Sequence, residues 1–437
     1  MRARFRILLL AALGCAAPPA TPDTGSEPAP CSVDPDWSAT LAPLADGDFP
    51  QYRLTPLHVG AAAPGATLTA DLVPTWQTEP FGIGDYSASK SSPVVADGRV
   101  FAGFDDGYLR AFDAEDGALL WELRTRQSDI EDGKPADSST HQGIHGTPAV
   151  ADGVVYVGAY DGWLYAADAA TGALRWEAAL GDSIGASPLV HDDTIWVSVE
   201  YDAPDGKVFV LDAVEGCVLR STDFLGEMPH ASATIDPERG WSFVGANNGR
   251  FQAWDYINDV VIWDYWMGEN LSQNDTSLGD IKSTAAVVGD VVYSTSWDGR
   301  LHAIDIPTGE TRFTVASNAI IMSSPSVSDG RVLFGSHDGF IRAVAAATEP
   351  NAGELLWQTH AGNQVTSSAT IVPGTGLAAI GSRADELLLL DVATGEVRYR
   401  EDVGSHVTSV PTIVGSSLYL TDMAGIVRRY DSPGAAR

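Results

Sequence analysis

The chain has 437 residues, with 26 Lys and Arg against 58 Asp and Glu, a formal charge of −32. Its 44% apolar content can fill a large core, which excludes general disorder. The acidity excludes nucleic acid as a main partner, because a phosphate backbone needs a basic patch to bind. The longest apolar run, Ile7 to Ala17, falls short of the roughly 18 residues that a spanning helix needs.

That run reads as an export signal. Arg2, Arg4 and Arg6 precede a short apolar stretch, and Ala12-Leu13-Gly14-Cys15 resembles a bacterial lipobox, so residues 1–14 are expected to be a lipoprotein signal peptide and Cys15 the lipidated residue. Ordinary signal cleavage and an unprocessed N-terminus stay open as alternatives. Residues 15–45 begin as a Pro- and Ala-rich stretch with almost no large apolar side chains and read as a flexible tether. The folded domain is expected over 46–437. Cys31 and Cys217 are the remaining cysteines, and export favours a disulfide between them over two separate thiols.

From residue 72 the chain repeats. The clearest copies are 91–125 (SSPVVADGRVFAGFDDGYLRAFDAEDGALLWELRT) and 146–180 (GTPAVADGVVYVGAYDGWLYAADAATGALRWEAAL). Each predicts four short strands, rich in Val, Tyr, Phe and Trp and punctuated by Asp-Gly and Thr-Gly, the residues of hairpin turns. An Asp is followed eight positions later by an aromatic at Asp113 and Trp121, Asp168 and Trp176, Asp255 and Trp263, Asp305 and Phe313, and Asp391 and Tyr399. The third unit has Arg220 after Asp212, and the sixth has Ala345 before a longer turn and Trp357. The units recur every 40 to 55 residues, a spacing that predicts a β-propeller.

Seven units are complete, and the eighth, 409–431, stops after three strands. An orphan strand over 72–78, carrying Trp76, stands before the first unit and is expected to complete the last. The predicted fold is therefore all-β: an eight-bladed propeller of four-stranded antiparallel blades, closed by its N-terminal strand. Closure removes the sheet edges that invite aggregation. The recurrence of the outer-strand aromatic in nearly every blade assigns it to packing between blades.

The pattern Asp-Gly-x-Leu-Tyr/His-Ala-x-Asp-x-x-Thr-Gly-x-x-x-Trp, at Asp161 to Trp176 and more loosely at Asp298 to Phe313, resembles the pyrroloquinoline-quinone (PQQ) repeat family and its tryptophan-docking motif. The resemblance covers residues 70–431. One branch of that family holds quinoprotein dehydrogenases, which carry PQQ and usually Ca²⁺ over one face. The other holds non-enzymatic lipoproteins resembling the outer-membrane protein assembly factor BamB. The tether and the lack of adjacent cysteines favour the second branch. The resemblance implies an exported, monomeric envelope scaffold without a catalytic residue, tethered to the outer membrane, whose partners are envelope proteins or peptide segments. A PQQ- and Ca²⁺-dependent dehydrogenase and a small-ligand sensor are the alternative readings.

Function in a propeller concentrates on loops held by the rigid scaffold. The longest connections are Glu79 to Lys90, Arg126 to His145 and Gly268 to Lys282. Aligning the units at the start of each inner strand places Lys90, His145, Gly185, His230, Lys282, Met322, Thr366 and Thr408 at one equivalent position. Lys90, His145, His230 and Lys282 form a candidate rim for an anionic ligand, the alternative being solvated cations paired with nearby acids. The His141 and His145 pair lacks a third placed ligand, so no metal site is expected. Asp105, Asp106, Asp161, Asp298 and Asp338 read as turn acids.

Overall fold

The computed structural model describes residues 30–31, 48–81, 91–126, 143–201, 205–268 and 279–433. They form eight four-stranded sheets, each a meander in which successive strands pair antiparallel. In blade 1 the strands are Val94–Ala96, Arg99–Gly103, Tyr108–Asp113 and Leu119–Arg124, running from the axis outward. The last blade takes three strands from 412–431 and its outer strand from Val73–Gln77, with Val73 opposite Asp431 and Trp76 opposite Arg429. The ring is thus closed by the N-terminal strand, and the all-β, eight-bladed architecture read from the repeat is the one observed.

Turn chemistry explains why these residues pair in this register. Asp97 and Gly98 have φ of 49° and 70°, and Asp152 and Gly153 have 48° and 70°, the left-handed pair that a tight two-residue hairpin requires. A residue without a side chain, or a short polar one, occupies such φ values most cheaply. In every blade the pairing between the third and outer strands carries a register shift, as between Ala111 and Phe112 or Ala166 and Ala167. A bulge adds local twist and re-aims the side chains that follow. Here it lies beside the residue that faces the outer-strand aromatic, Ala111 opposite Trp121 and Ala166 opposite Trp176.

The core is divided into wedges between adjacent blades. Phe101, Leu109 and Ala111 of blade 1 pack with Val155, Val157 and Tyr165 of blade 2, and Tyr419 and Val427 of blade 8 pack with Val100 and Phe112 of blade 1. Each wedge is apolar on both sides, so each sheet buries both faces and its strands read as continuous apolar runs rather than alternations.

Antiparallel order gives the propeller two distinct faces. One, the entry face, gathers the connections into the inner strands and the turns between second and third strands. The other, the hairpin face, gathers the remaining two turns of every blade. Around the axis near the entry face, backbone amides donate to hydroxyls of the next blade: Ser92 to Thr147, Thr147 to Ser187, Ser187 to Ser232, Ser232 to Thr284, Thr284 to Ser324 and Ser324 to Ser368. Val410 of blade 8 donates to Ser92 of blade 1; having no hydroxyl of its own, Val410 cannot accept the equivalent bond from Ser368.

The axis is filled from the hairpin face by residues 48–67, a segment to which the repeat assigns no role. Its backbone or side chains reach the middle of the inner strand in every blade. Phe49 exchanges both bonds with Val95, at 2.7 and 2.9 Å, and the amides of Val150, Ile235, Val287, Val327 and Ile371 donate to the carbonyls of Pro50, Pro56, Leu57, Val59 and Gly60. Val190 donates to Gln51 Oε1, and Ala63 donates to the carbonyl of Ile413. The inner edges of eight sheets would otherwise present unpaired amides to the axis, and the segment satisfies them. Arg53, buried inside it, donates to the carbonyls of His58, Ser324 and Pro325 and to Ser326 Oγ.

Candidate functional site

The repeated aromatics form a docking system between blades. The indole N–H of Trp76 donates to the carbonyl of Ala114 at 3.2 Å, that of Trp121 to Ala169 at 3.1 Å, that of Trp176 to Ala213 at 3.2 Å, and that of Trp263 to Ile306 at 2.8 Å. In each case the acceptor follows the Asp that ends the next blade's third strand: Asp113, Asp168, Asp212 and Asp305. That Asp caps its own turn, as Asp168 Oδ1 accepts from the amides of Ala170 and Thr171. Phe313 and Tyr399 stand at the same outer-strand position, and Asp255 and Asp391 hold the same turns. Phe313 lies within 2.9 Å of where a side chain on Gly353 would begin.

A disulfide joins Cys31 to Cys217, with a Cα separation of 5.2 Å. The Cys31 amide donates to the carbonyl of Val218 at 2.8 Å, so the chain N-terminal to the propeller is pinned beside blade 3 at the hairpin face. Cys15, Lys90 and His141, the signal peptide 1–14 and most of the tether 15–45 lie outside the described residues.

The rim residues gather on the entry face, and each of the three described ones stands against a carboxylate. His145 Nε2 is 3.1 Å from Asp105 Oδ1, His230 Nδ1 is 2.8 Å from Glu200 Oε1, and Lys282 Nζ is 3.6 Å from Asp280 Oδ2. Lys282 also lies 4.4 Å from the centre of the Trp297 ring, a cation–π arrangement. Burial raises the pKa of Asp280, against the lowering influence of Lys282 and His230. Each described rim residue is therefore paired with a carboxylate.

Four of the five acids assigned to turns do that work. Asp106, Asp161, Asp298 and Asp338 accept from the amides two residues on, at 2.9 to 3.1 Å. All four also hold a side chain four residues on: Arg110, Tyr165, His302 and Arg342. Asp105 is the correction. It is one residue too early to close the turn, and its carboxyl turns to His145 of the next blade's entry loop.

The repeat reading missed Tyr160 and Glu200. The Tyr160 ring lies 4.2 Å from that of His145, and Tyr160 and Glu200 converge on Gly185. Tyr160 immediately precedes Asp161-Gly162, as Asp105 precedes Asp106-Gly107, so an alignment of the second turn would have found that position. Glu200 sits near the end of Thr194–Tyr201, a second strand longer than those of the clearest copies, and the alignment loses it there. Among the described residues no group of three or more His, Cys, Asp or Glu stands together as a metal set.

Comparison with known proteins places these features. A family profile described as outer membrane protein assembly factor BamB matches residues 75–140, 127–339 and 341–436. The protein of that name from Yersinia pestis is 27% identical over 238 residues, 52% of this chain, and the chain spans only 57% of that relative's length. The protein of that name from Shewanella oneidensis is 25% identical over 357 residues, 79% of this chain and 85% of the relative. The crystal structure of BamB from Moraxella catarrhalis superposes with a TM-score of 0.65 at 21% identity, covering 83% of this chain and 100% of that one. A europium-containing methanol dehydrogenase superposes with a TM-score of 0.68 at 14% identity, covering 86% and 89%. At those identities the two structures share the fold, which hosts unrelated functions.

Proposed function

The chain belongs to the family of the outer membrane protein assembly factor BamB, and from that premise we propose that it is an exported, lipid-anchored scaffold that binds envelope polypeptides on the entry face of its propeller. The observation that carries the reading is the filled axis. Residues 48–67 bond to the inner strands from the hairpin face, which leaves the entry face as the open end of the funnel and the place where the longest connections gather. The docking aromatics are engaged between blades, so partner contacts fall to the entry-face loops and the outer strands, where a partner can add a strand. The Cys31–Cys217 disulfide supports an oxidising compartment and a tether that leaves from the opposite face. Lipidation at Cys15, residence at the outer membrane and a monomeric state complete the proposal.

Two measurements test it. Labelling with a clickable fatty acid is expected to mark the full chain and to fail in Cys15→Ser, which is released from the membrane fraction. Photo-crosslinkers placed at Asn363 on the entry face and at Glu354 on the hairpin face are expected to trap envelope proteins from the first position alone. Crosslinks confined to Glu354, or dye reduction by alcohols or sugars that depends on added PQQ and Ca²⁺, would overturn the reading.

A further inference from the structure

Two carboxylates on the entry face are nearly inaccessible and incompletely bonded. Glu200 is 2% exposed and Asp105 8%. Each has an imidazole at contact distance, yet neither Glu200 Oε1 nor Asp105 Oδ1 lies on a hydrogen-bonding line with any partner among the described residues. A buried acceptor left in that condition is destabilising, and more so when it is charged. Between the two lies the phenol of Tyr160. Its pKa is raised by burial first and then by the charges of Glu200 and Asp105, so both carboxylates act on one hydroxyl.

Gly185 lets these groups meet. It occupies the rim position that carries a side chain in the other seven blades, and its φ lies outside the left-handed region, so the backbone does not require glycine there. A Cβ at this position would stand 2.7 Å from the Tyr160 hydroxyl oxygen and 2.9 Å from Glu200 Oε1. The missing side chain is what admits the two oxygens together.

The charge of this arc is negative. Three carboxylates, those of Asp105, Glu200 and Asp280, stand here against one lysine, Lys282, which is already beside Asp280, and two histidines. An anion is therefore the wrong guest for these blades. The oxygens do not form a metal set. A group with several N–H donors spread over a few ångströms can instead donate to separate oxygens, and charge-assisted bonds of that kind are the strong ones.

We propose that Asp105, Tyr160 and Glu200, gathered around Gly185, form a binding site for an organic cation, a primary ammonium or guanidinium group. The group is carried on a free small amine or on a Lys or Arg side chain. The site goes beyond the scaffold reading and stands without it.

Titration calorimetry on the full chain tests this, in phosphate buffer so that no buffer amine competes. The probes are agmatine, a capped Gly-Gly-Arg-Gly-Gly peptide, and 1,4-butanediol as the uncharged control. At least one cationic probe is expected to bind saturably, the diol is expected not to bind, and affinity is expected to fall about tenfold or more in Glu200→Gln and in Asp105→Asn. Thr366→Val, on the far side of the funnel, is expected to bind as the parent does. Binding of agmatine alone assigns the site to a free amine, and binding of the peptide assigns it to a side chain. If Glu200→Gln does not fold, Asp105→Asn decides. No binding of either cationic probe up to about 5 mM overturns the proposal, as does parental affinity in the folded carboxylate variants.

Discussion

The Trp121 indole donates to the carbonyl of Ala169 in the next blade, and Gly172 of that blade lies flat against its ring. Gly172 has φ of +72°, and a Cβ there would come within 2.7 Å of Trp121 Cδ2 and Cε3. Gly172→Ala therefore combines a left-handed backbone penalty with overpacking, together about 2–4 kcal/mol. Gly98→Ala supplies the control. Its φ is +70° with nothing within 4 Å, so only the backbone penalty of about 1 kcal/mol applies. Urea melts of the two variants are expected to differ in midpoint, with Gly172→Ala the lower. Equal midpoints would mean that the indole stack contributes nothing to blade docking.

The Cys31–Cys217 disulfide closes a sequence separation of 186 residues. Cross-linking so long a loop restricts the unfolded chain, and disulfides of this kind typically contribute about 2–4 kcal/mol. Cys31→Ser and Cys217→Ser are each expected to lower the urea midpoint, and reductant is expected to lower the parent to the level of the variants while leaving them unchanged. A midpoint insensitive to reductant would show that the pinned segment adds nothing to the stability of the body.

The propeller was legible because each unit writes its own turns. Asp97-Gly98 and Asp152-Gly153 adopt the dihedrals that their sequence demands, and Trp76 marks the displaced strand that closes the ring. Local chemistry of that sort survives in one sequence. The axial segment was not legible, because its bonds to eight inner strands run through backbone carbonyls such as those of Pro50, Leu57 and Gly60 and leave no side-chain period. The rim was half legible. Alignment located His145, His230 and Lys282, but Asp105 and Glu200, which stand against the two histidines, come from the preceding blade's turn. Only the assembled ring shows that each described rim residue is matched by a carboxylate.

His58 makes part of the stability depend on pH. It is wholly buried, its Nδ1 lies 3.1 Å from Thr234 Oγ1, and Thr234 donates its own hydroxyl hydrogen to the carbonyl of Ala285, which makes His58 the donor. Burial first, then the charge of Arg53, lowers its pKa to about 3. An unfolded chain protonates this imidazole near pH 6.5, whereas the folded chain resists until about 3. Between those values the unfolded state binds more protons. The contribution is therefore complete above pH 6.5 and is lost as pH falls toward 3, by an amount on the order of 2–4 kcal/mol. His58→Asn keeps a donor and removes the titration. The urea midpoint of the parent is expected to fall more steeply than that of the variant between pH 7 and pH 4, and parallel declines would remove His58 as the cause.

Arg53 is the centre of the axial segment. Its guanidinium donates to the carbonyls of His58, Ser324 and Pro325 and to Ser326 Oγ, so one side chain ties the segment to itself and to blade 6. Burial lowers its pKa without abolishing its charge, since arginine stays protonated in proteins. Arg53→Met keeps much of the apolar stem, but it leaves those carbonyls without their donor in a space water does not reach, a cost of about 3 kcal/mol or more in the folded state. Because the amides of Val327 and Ile371 donate to Val59 and Gly60 of the same segment, loosening it exposes inner-strand edges before the blades themselves open. Hydrogen exchange followed by mass spectrometry is expected to show faster exchange at Val327 and Ile371 in Arg53→Met. The outer strands, such as Leu174–Ala179, are expected to exchange at the parental rate. Uniform acceleration across all strands would instead show that the axial segment and the blades unfold as one unit.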